Sequence, residues 1–322
     1  MALSVLITRR AAVAGLAAVS LYRPADAADA TRIKFASTNR ELFDNLPLYV
    51  AAGGGMFKAE NLDVEITHFA GGGDVVRAVV SAVADMGMVG TSSAIIAAGK
   101  GEPLKIISAW TAPAYGIVWI VPTDSPIKTV KDLAGKKVGI TRPGSITHTG
   151  MLAALRANDL VGQVELVPVG GPGDGWAMLK AGRVQATHHT APDVYNLVDR
   201  GEARILFQTS DYLKDYQQGV VAALEPYLQK NAETARRFLR AIKAADDFIA
   251  QKPDEAAKLG SKGMEIPEHR FHETIVKAPA GFFRVGVPEK ANFDGSMTEA
   301  MVAGALKEAP AYDKIVDRSF LP

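Results

Sequence analysis

Two features of the sequence hold residues able to do chemistry. One is the loop RPGSITHTG, Arg142–Gly150, and the other is a set of six histidines in a chain without cysteine. A loop of this composition suits a nucleotide phosphate, a metal, a catalytic base or a small ligand. Gly144 and Gly150 lie six apart and Met151 follows, where a Walker loop needs lysine, so a P-loop is excluded. No G-x-G-x-x-G follows the first expected strand, and no G-x-S-x-G elbow occurs. The histidines are His68, His148, His188, His189, His269 and His272. His269 and His272 share a helix face, but a tetrahedral zinc site needs about four converging ligands. The missing cysteines remove every thiolate ligand and nucleophile. No metal and no cofactor is expected, and a histidine in the loop is more useful as a hydrogen-bond donor than as a base.

Composition narrows the class. The chain has 322 residues, 48% hydrophobic and 22% charged, with a formal charge of +1. That is enough for two globular domains and gives no electrostatic footprint for nucleic acid. Arg9 and Arg10 precede an apolar run, Ala11 to Leu21, and then two A-x-A sites ending at Ala27 and Ala30. The run is too short to span a bilayer, so residues 1–30 read as an export signal cleaved near 27–30. The twin arginine resembles a Tat signal, and Sec remains the other route. Cleavage after Ala27 removes three arginines and one aspartate, leaving 33 − 34 = −1. An exported chain without disulfides, and without the cysteine of a lipid anchor, points to the periplasm of a Gram-negative cell.

These residues need elements to position them. β-like runs alternate with helical patterns in two series, residues 31–122 and 136–224, and a helical tail begins at Asn231. In the first series, 47–60 reads as a helix opened by Pro47. Asp74 is the expected N-cap of a helix carrying Val76, Val79, Val80 and Val83 on one face. In the tail, Phe238, Leu239, Ile242, Ala245 and Ile249 form one stripe, and Pro253 ends it. Alternation of this kind implies parallel sheets covered on both faces. The expected fold is α/β: two doubly wound lobes joined by two crossover segments, with a helical C-terminal tail on lobe 1. Lobe 1 takes residues 31–115 plus 220–322 and lobe 2 takes 116–219, with a cleft between them.

At this point the segments PLYVA…GGGMFKAENLDVEI, GGGDVVRAV…ADMGMVGTSSA, VKDLAGKKVGITRPGSITH, LKAGRVQA and NAETARRFLRAIKAADDFIAQKPDEAAKL stand in an order that resembles a known family. It is that of the periplasmic substrate-binding proteins of nitrate/sulfonate/taurine-type ABC importers. The resemblance runs from about Thr31 to the C-terminus. It implies a type II periplasmic-binding-protein (Venus flytrap) fold, a monomer that delivers a cleft-bound solute to a membrane permease with its ATPase.

In such sheets ligands bind beyond the strands' carboxyl ends, against helix N-termini whose free N–H groups favour anions. Five loops qualify: 37–45, 70–74, 90–94, 142–150 and 188–193. They supply Thr38, Asn39 and Arg40, with Arg40 as the formal cation. Gly72, Thr91 and Ser92 follow, then Ser145 as N-cap with Thr147 and His148, then His189 and Thr190. Gly71–Gly73 also fit a plain tight turn, Ser145 a plain cap, and Arg40 and His148 a solvated surface. Trp110 and Tyr115 flank the first crossing, where they would either cover an apolar ligand body or pack the hinge. Taurine-type members often carry an aromatic and an acid before the proline of the last loop. This chain has Thr190 and Ala191 before Pro192, so His188 and His189 offer donors instead. The expected ligand is a small organic anion, a sulfonate or an aromatic or aliphatic carboxylate. The alternatives are a neutral heterocycle (pyrimidine precursor or flavin-like) and a cleft enzyme, pyrimidine synthase or desulfinase-like; the enzyme lacks the cysteines on which those two depend.

Overall fold

The structure, a computed structural model, describes residues 30–322, so all of the expected export signal but Ala30 lies outside the described residues. The first sheet holds β1 (Thr31–Thr38), β2 (Leu62–Phe69), β3 (Met86–Gly90) and β4 (Leu104–Thr111). The second holds β5 (Ile117–Pro122), β6 (Lys137–Ile140), β7 (Glu165–Pro168), β8 (Ala186–Thr190) and β9 (Ala203–Gln208). The chain then returns to the first sheet as β10 (Gly219–Leu224). The two orders are β2-β1-β3-β10-β4 and β7-β6-β8-β5-β9. The helices are α1 (Leu46–Gly53), α2 (Met56–Ala59), α3 (Gly72–Val80), α4 (Thr91–Gly99), α5 (Ile146–Ala157), α6 (Pro172–Lys180) and α7 (Val194–Asp199). The tail adds α8 (Glu225–Lys230), α9 (Ala232–Gln251), α10 (Pro253–Met264), α11 (Glu268–Lys277), α12 (Lys290–Val302) and α13 (Tyr312–Ile315).

The sheets are mixed, where purely parallel ones were expected. β1 pairs β2 in parallel from Thr31↔Leu62 to Thr38↔Phe69. β10 runs antiparallel to β3 and β4, and β5 antiparallel to β8 and β9. The reason is topological. A strand that follows a crossing enters its new sheet from the cleft end, so Ile117 starts beside Thr190 and Gly219 starts beside Gly90. Each crossing therefore delivers its chain to the carboxyl ends of the parallel strands, where ligands bind.

Local chemistry moves several boundaries. The helix expected over 47–60 breaks in two, because Gly55 takes a φ of +77° that side chains avoid. Gly71, not Asp74, is the N-cap of α3, and Asp74 sits in its first turn. That helix stops at Val80, so Val83 falls beyond it and is exposed. Pro253 opens α10 as well as ending α9, a position where its missing N–H costs nothing. The stripe on α9 is buried as expected, and Phe238 stacks on Phe35 with centroids 4.6 Å apart. The tail thus packs on the first sheet. Four or five apolar side chains of this size contribute roughly 1.5–3 kcal/mol each on burial.

The second crossing is fixed by α12. Ser296 Oγ donates to Gln217 O and accepts from Gln217 N at 3.0 Å. A Cβ on neighbouring Gly295 would overlap the Asp215 backbone oxygen. Backbone cannot swing aside as a flexible side chain does, so Gly295→Ala is expected to destabilise the fold by ~1–3 kcal/mol. Chemical denaturation should show a lower midpoint, whereas alanine at the exposed Gly173, where a Cβ would meet nothing, should leave it nearly unchanged.

Candidate ligand-binding cleft

The two sheets meet at their cleft ends and enclose a cavity of about 40 Å³. That volume takes about three waters or one compact solute. From the first sheet it is lined by Thr38, Asn39, Leu42 and Asp44, by Gly71 and Gly72 at the start of α3, and by Met88, Gly90 and Ser93 at the start of α4. The second sheet contributes Thr141, Ser145, Ile146 and Thr147 at the start of α5, with Ile117, His188 and Thr190. Gln218 comes from the second crossing. Three helices of nine, nine and twelve residues therefore begin on one small space. Each start carries free N–H donors and a partial positive charge.

The opening loop is built to hold α5 in place. Gly144 turns the chain at φ +77°. Ser145 Oγ accepts from His148 N, as an N-cap should, and donates to Arg142 O at 2.7 Å. Thr147 Oγ1 accepts from Thr141 N at 2.8 Å and donates to Thr141 Oγ1 at 2.9 Å. Thr141 Oγ1 in turn meets His188 Nε2 at 3.3 Å. Nδ1 of the same ring has no hydrogen-bond partner among the described residues. Burial, with His189 alongside, pushes the His188 pKa down to about 3.

Two more polar groups on the cavity are unspent. Thr38 Oγ1 and Thr190 Oγ1 are buried without a partner, in residues 7% and 3% exposed. An orphaned buried hydroxyl costs about 1–3 kcal/mol, so three such groups on one cavity point to a missing partner. Asp44 is the one charged residue on the wall. Gln218 Nε2 donates to both its carboxylate oxygens at 2.9 and 3.0 Å, and Thr111 Oγ1 donates to Oδ2 at 2.8 Å. Burial pushes its pKa up to about 6 despite those bonds. Among the described residues no lysine, arginine, phenylalanine, tyrosine or tryptophan lines the cavity.

Of the expected site residues, Thr38, Asn39, Gly72, Ser145, Thr147 and Thr190 are brought together here. The others are placed elsewhere. Arg40 turns away to the C-terminal end of α10. There its Nη2 donates to Gly263 O at 2.7 Å and pairs with Glu265 at 2.8 Å, a favoured place for a cation. His148 Nδ1 accepts from Gly144 N at 3.2 Å, so the ring braces its own loop. Thr91 and Ser92 are buried beside Ser93 but off the wall, and Ser92 Oγ bonds Tyr216 OH. Trp110 is core, with Nε1 donating to Asp44 O at 2.7 Å. Tyr115 packs on Phe43 and Phe282 and donates to Thr274 O at 3.2 Å. His189 lies on the other face of β8, its Nδ1 accepting from Thr190 N at 2.9 Å. Strand parity requires this, since His188 and Thr190 share a face and His189 cannot. His188, which the last loop offered as a donor together with His189, does reach the wall, while Asp44 and Gln218 are polar lining residues that the sequence did not single out.

The lobes are held shut by contacts on every side. Ser93 Oγ donates to Gly144 O at 3.3 Å, and Arg142 pairs with Asp74 at 2.7 Å. Arg156 of α5 pairs with Glu299 of α12, and Arg270 of α11 with Asp199 of α7. Phe43 N donates to Ala191 O at 3.3 Å.

Two α/β lobes closed over a cavity at their helix ends define the two-lobed periplasmic-binding-protein fold. The chain belongs to the NMT1/THI5-like family, whose sequence profile matches residues 43–256. A candidate aliphatic sulfonates-binding protein of Escherichia coli K12 is 27% identical over 201 residues, 62% of this chain and 62% of that protein. A 4-amino-5-hydroxymethyl-2-methylpyrimidine phosphate synthase of Saccharomyces cerevisiae is 22% identical over 241 residues, 66% of each chain. The matches span just under two thirds of these relatives. Among solved structures, the periplasmic aliphatic sulphonate binding protein SsuA of Escherichia coli shares the fold. Its TM-score is 0.73 over 89% of this chain and 92% of that one, at 20% identity.

Two outcomes test this site without a ligand. Thr190→Val removes an unpartnered hydroxyl and keeps its shape, so the empty protein should denature at an equal or higher midpoint. A hydroxyl with a structural partner would instead cost about 1 kcal/mol. The second outcome concerns His188. Its folded pKa of about 3 lies below the ordinary 6.5, so the unfolded chain binds the proton first and stability falls as pH drops from 6.5 towards 3. Asp44 acts oppositely: its raised pKa makes the native state lose stability as pH rises from about 4 to 6. The difference between the wild type and His188→Asn isolates the first effect. It should change by about 1.4 kcal/mol per pH unit between pH 6 and 4, read from denaturation midpoints.

Proposed function

We propose that the protein is the solute-binding component of an ABC importer, working in the periplasm of a Gram-negative cell. It captures a small organic anion, a sulfonate or carboxylate, between a lobe of residues 31–115 plus 220–322 and a lobe of residues 116–219. The observation that carries this reading is the convergence of three helix N-termini with the free Thr38 and Thr190 hydroxyls and the free His188 Nδ1. Each helix end contributes ~0.3–1 kcal/mol towards an anion at the surface and up to ~2 when partly buried. Closure supplies the burial, because it takes the charge out of water. Together with a few charge-assisted hydrogen bonds this reaches about −8 kcal/mol, a micromolar affinity. The closed protein then docks on a permease and its ATPase as a monomer.

The cavity favours this over the two other readings. A heterocycle such as a pyrimidine precursor or a flavin gains from stacking, and no Phe, Tyr or Trp lines the wall among the described residues. The small volume also disfavours an aromatic carboxylate against an aliphatic one. Synthases occur in the same family. Here, however, His188 is turned to a threonine hydroxyl rather than to a carboxylate that would raise its basicity. With a pKa of about 3 it is too weak a base to be a good general base near neutral pH.

A thermal-shift screen of the chain lacking residues 1–27 tests the proposal against aliphatic sulfonates, aliphatic and aromatic carboxylates, nitrate, pyrimidines and flavins. Compact aliphatic anions should stabilise it, by ~2.7 kcal/mol at 100 times the dissociation constant. Stabilisation by heterocycles alone would overturn the anion reading.

A further inference from the structure

Three glycines open α3, and their surroundings differ. A Cβ on Gly73 would meet nothing, and one on Gly72 would meet Ser93 and Gly90 of its own lobe. A Cβ on Gly71 would meet only Thr141, across the cleft, with Cγ2 at 2.6 Å and Cβ at 3.6 Å. Local structure does not call for glycine at this position. Gly71 has a φ of −172°, extended backbone far from the left-handed region where glycine has its advantage. It is also the N-cap of α3, where serine, threonine, asparagine and aspartate are preferred, and α3 has no side-chain cap. The N-cap of α5 is Ser145, whose Oγ accepts from His148 N. Glycine thus forgoes a cap bond at the start of α3, and the facing lobe supplies the reason.

Thr141 is not free to turn aside. Its Oγ1 accepts from Thr147 Oγ1 at 2.9 Å and lies 3.3 Å from His188 Nε2. Both arms of a threonine turn on one χ1, so swinging Cγ2 away from Gly71 carries Oγ1 out of both contacts. The residue is buried, and a hydroxyl that loses its partners there is costly. Gly171 of the second lobe makes a contrast. It too is a glycine N-cap facing the other lobe, but its Cβ would lie 3.4 Å from Asn39 Oδ1, an ordinary contact. Gly71 and Thr141 both line the cavity, so the spacing of this pair is the spacing of the lobes at the ligand site.

From this we infer that Gly71 and the locked methyl of Thr141 form the closure stop of the cleft: the lobes shut until the bare backbone of Gly71 comes up against Thr141 Cγ2, and any side chain in place of Gly71 holds them apart. A gap there admits water to the starts of α3 and α5, whose partial charges act strongly only in a dry site. Gly71 is a positioning residue. It acts through the depth of closure and not through a bond of its own. The inference rests on the two-lobed fold and takes from the anion reading only the choice of ligand. It also replaces the plain tight turn as the reason for glycine at this position.

Ethanesulfonate and propionate serve as probes, by calorimetry and stopped flow. Gly71→Ala should bind them about 10- to 100-fold more weakly, the effect of overpacking a tight contact. The change should lie in the dissociation rate, because encounter takes place with the lobes open. Gly71→Ser should lose as much, although serine is the better cap. Thr141→Ser removes Cγ2 and keeps the hydroxyl, which leaves the Cβ contact at 3.6 Å. In that background Gly71→Ala should weaken binding by less than about threefold, and Gly171→Ala in the wild type should be equally mild. Unchanged affinity in Gly71→Ala, or a loss that Thr141→Ser does not relieve, overturns the stop. A second arm needs no ligand and uses the absence of cysteine. In Gly71→Cys/Thr141→Cys the Cβ atoms stand 3.6 Å apart, within disulfide range, so mild oxidation should leave no titratable thiol. Thiols that stay free overturn the stop as well. If neither anion binds any variant, the anion reading falls and the cross-link decides the stop alone.

Discussion

The cleft depends on one buried hydrogen-bonded hub. Gln218 donates to Asp44 and to Tyr115 O, and its Oε1 accepts from Tyr115 N. Thr111 ties the same carboxylate to the end of β4, and Trp110 ties the Asp44 backbone to the core. Neighbouring Gln217 donates to Thr111 O and Gly219 O. The first crossing, the second crossing and the β1–α1 turn thus meet at a few polar atoms shut away from water. In low dielectric such bonds are strong and leaving any of them unmade is costly, so the two crossings are fixed relative to each other. The hub that aligns the crossings is also part of the cavity wall, so the geometry of the hinge and that of the ligand site cannot vary independently.

Closure brings chemistry that neither lobe has alone. The starts of α3 and α4 belong to the first sheet and that of α5 to the second, and each by itself is a weak, solvated partial charge. Brought together around about 40 Å³ they act through little water. The ion pairs Arg142–Asp74, Arg156–Glu299 and Arg270–Asp199 lie outside this space. Arg142 and Asp199 are substantially exposed, so these pairs contribute modestly to closure and are screened by salt. Asp74, which would oppose an anion at the start of α3, is drawn outwards to Arg142 and Arg77. That pairing leaves the backbone N–H groups of Gly71 and Gly72 as the face α3 shows to the cavity.

The alternation of strands and helices made the fold legible, because burial forces periods of 2 and 3.6 on the sequence wherever an element has a core face. The antiparallel β5 and β10 were not legible. Strand direction after a crossing is set by which end of the sheet the chain enters, and no side chain records it. At the site, backbone-driven features read well: Gly144 for the turn and Ser145 for the cap. Long side chains read badly. Arg40 follows β1 as expected, yet its guanidinium reaches the end of α10, more than two hundred residues away in sequence. His188 against His189 was decidable in principle, since parity with Thr190 selects one of them. Asp44 was not, because its meaning comes from Gln218 and Thr111, which only the folded hinge brings near.

The lack of a formal cation on the wall has a kinetic consequence for a carrier. An arginine clamped to an oxyanion would remain a strong partner in the open state, since a bidentate ion pair keeps part of its worth when wet. Helix ends and lone hydroxyls do not. Their attraction depends on the water excluded by the closed lobes, and it fades as the local dielectric rises on opening. A site built from partial charges therefore couples affinity to closure. It binds when the lobes shut and loosens when they are pulled apart, without any group having to titrate or move away. The same logic assigns Asp44 its place. A full negative charge is tolerable on the wall at the hinge side, where the hub already holds it with neutral donors.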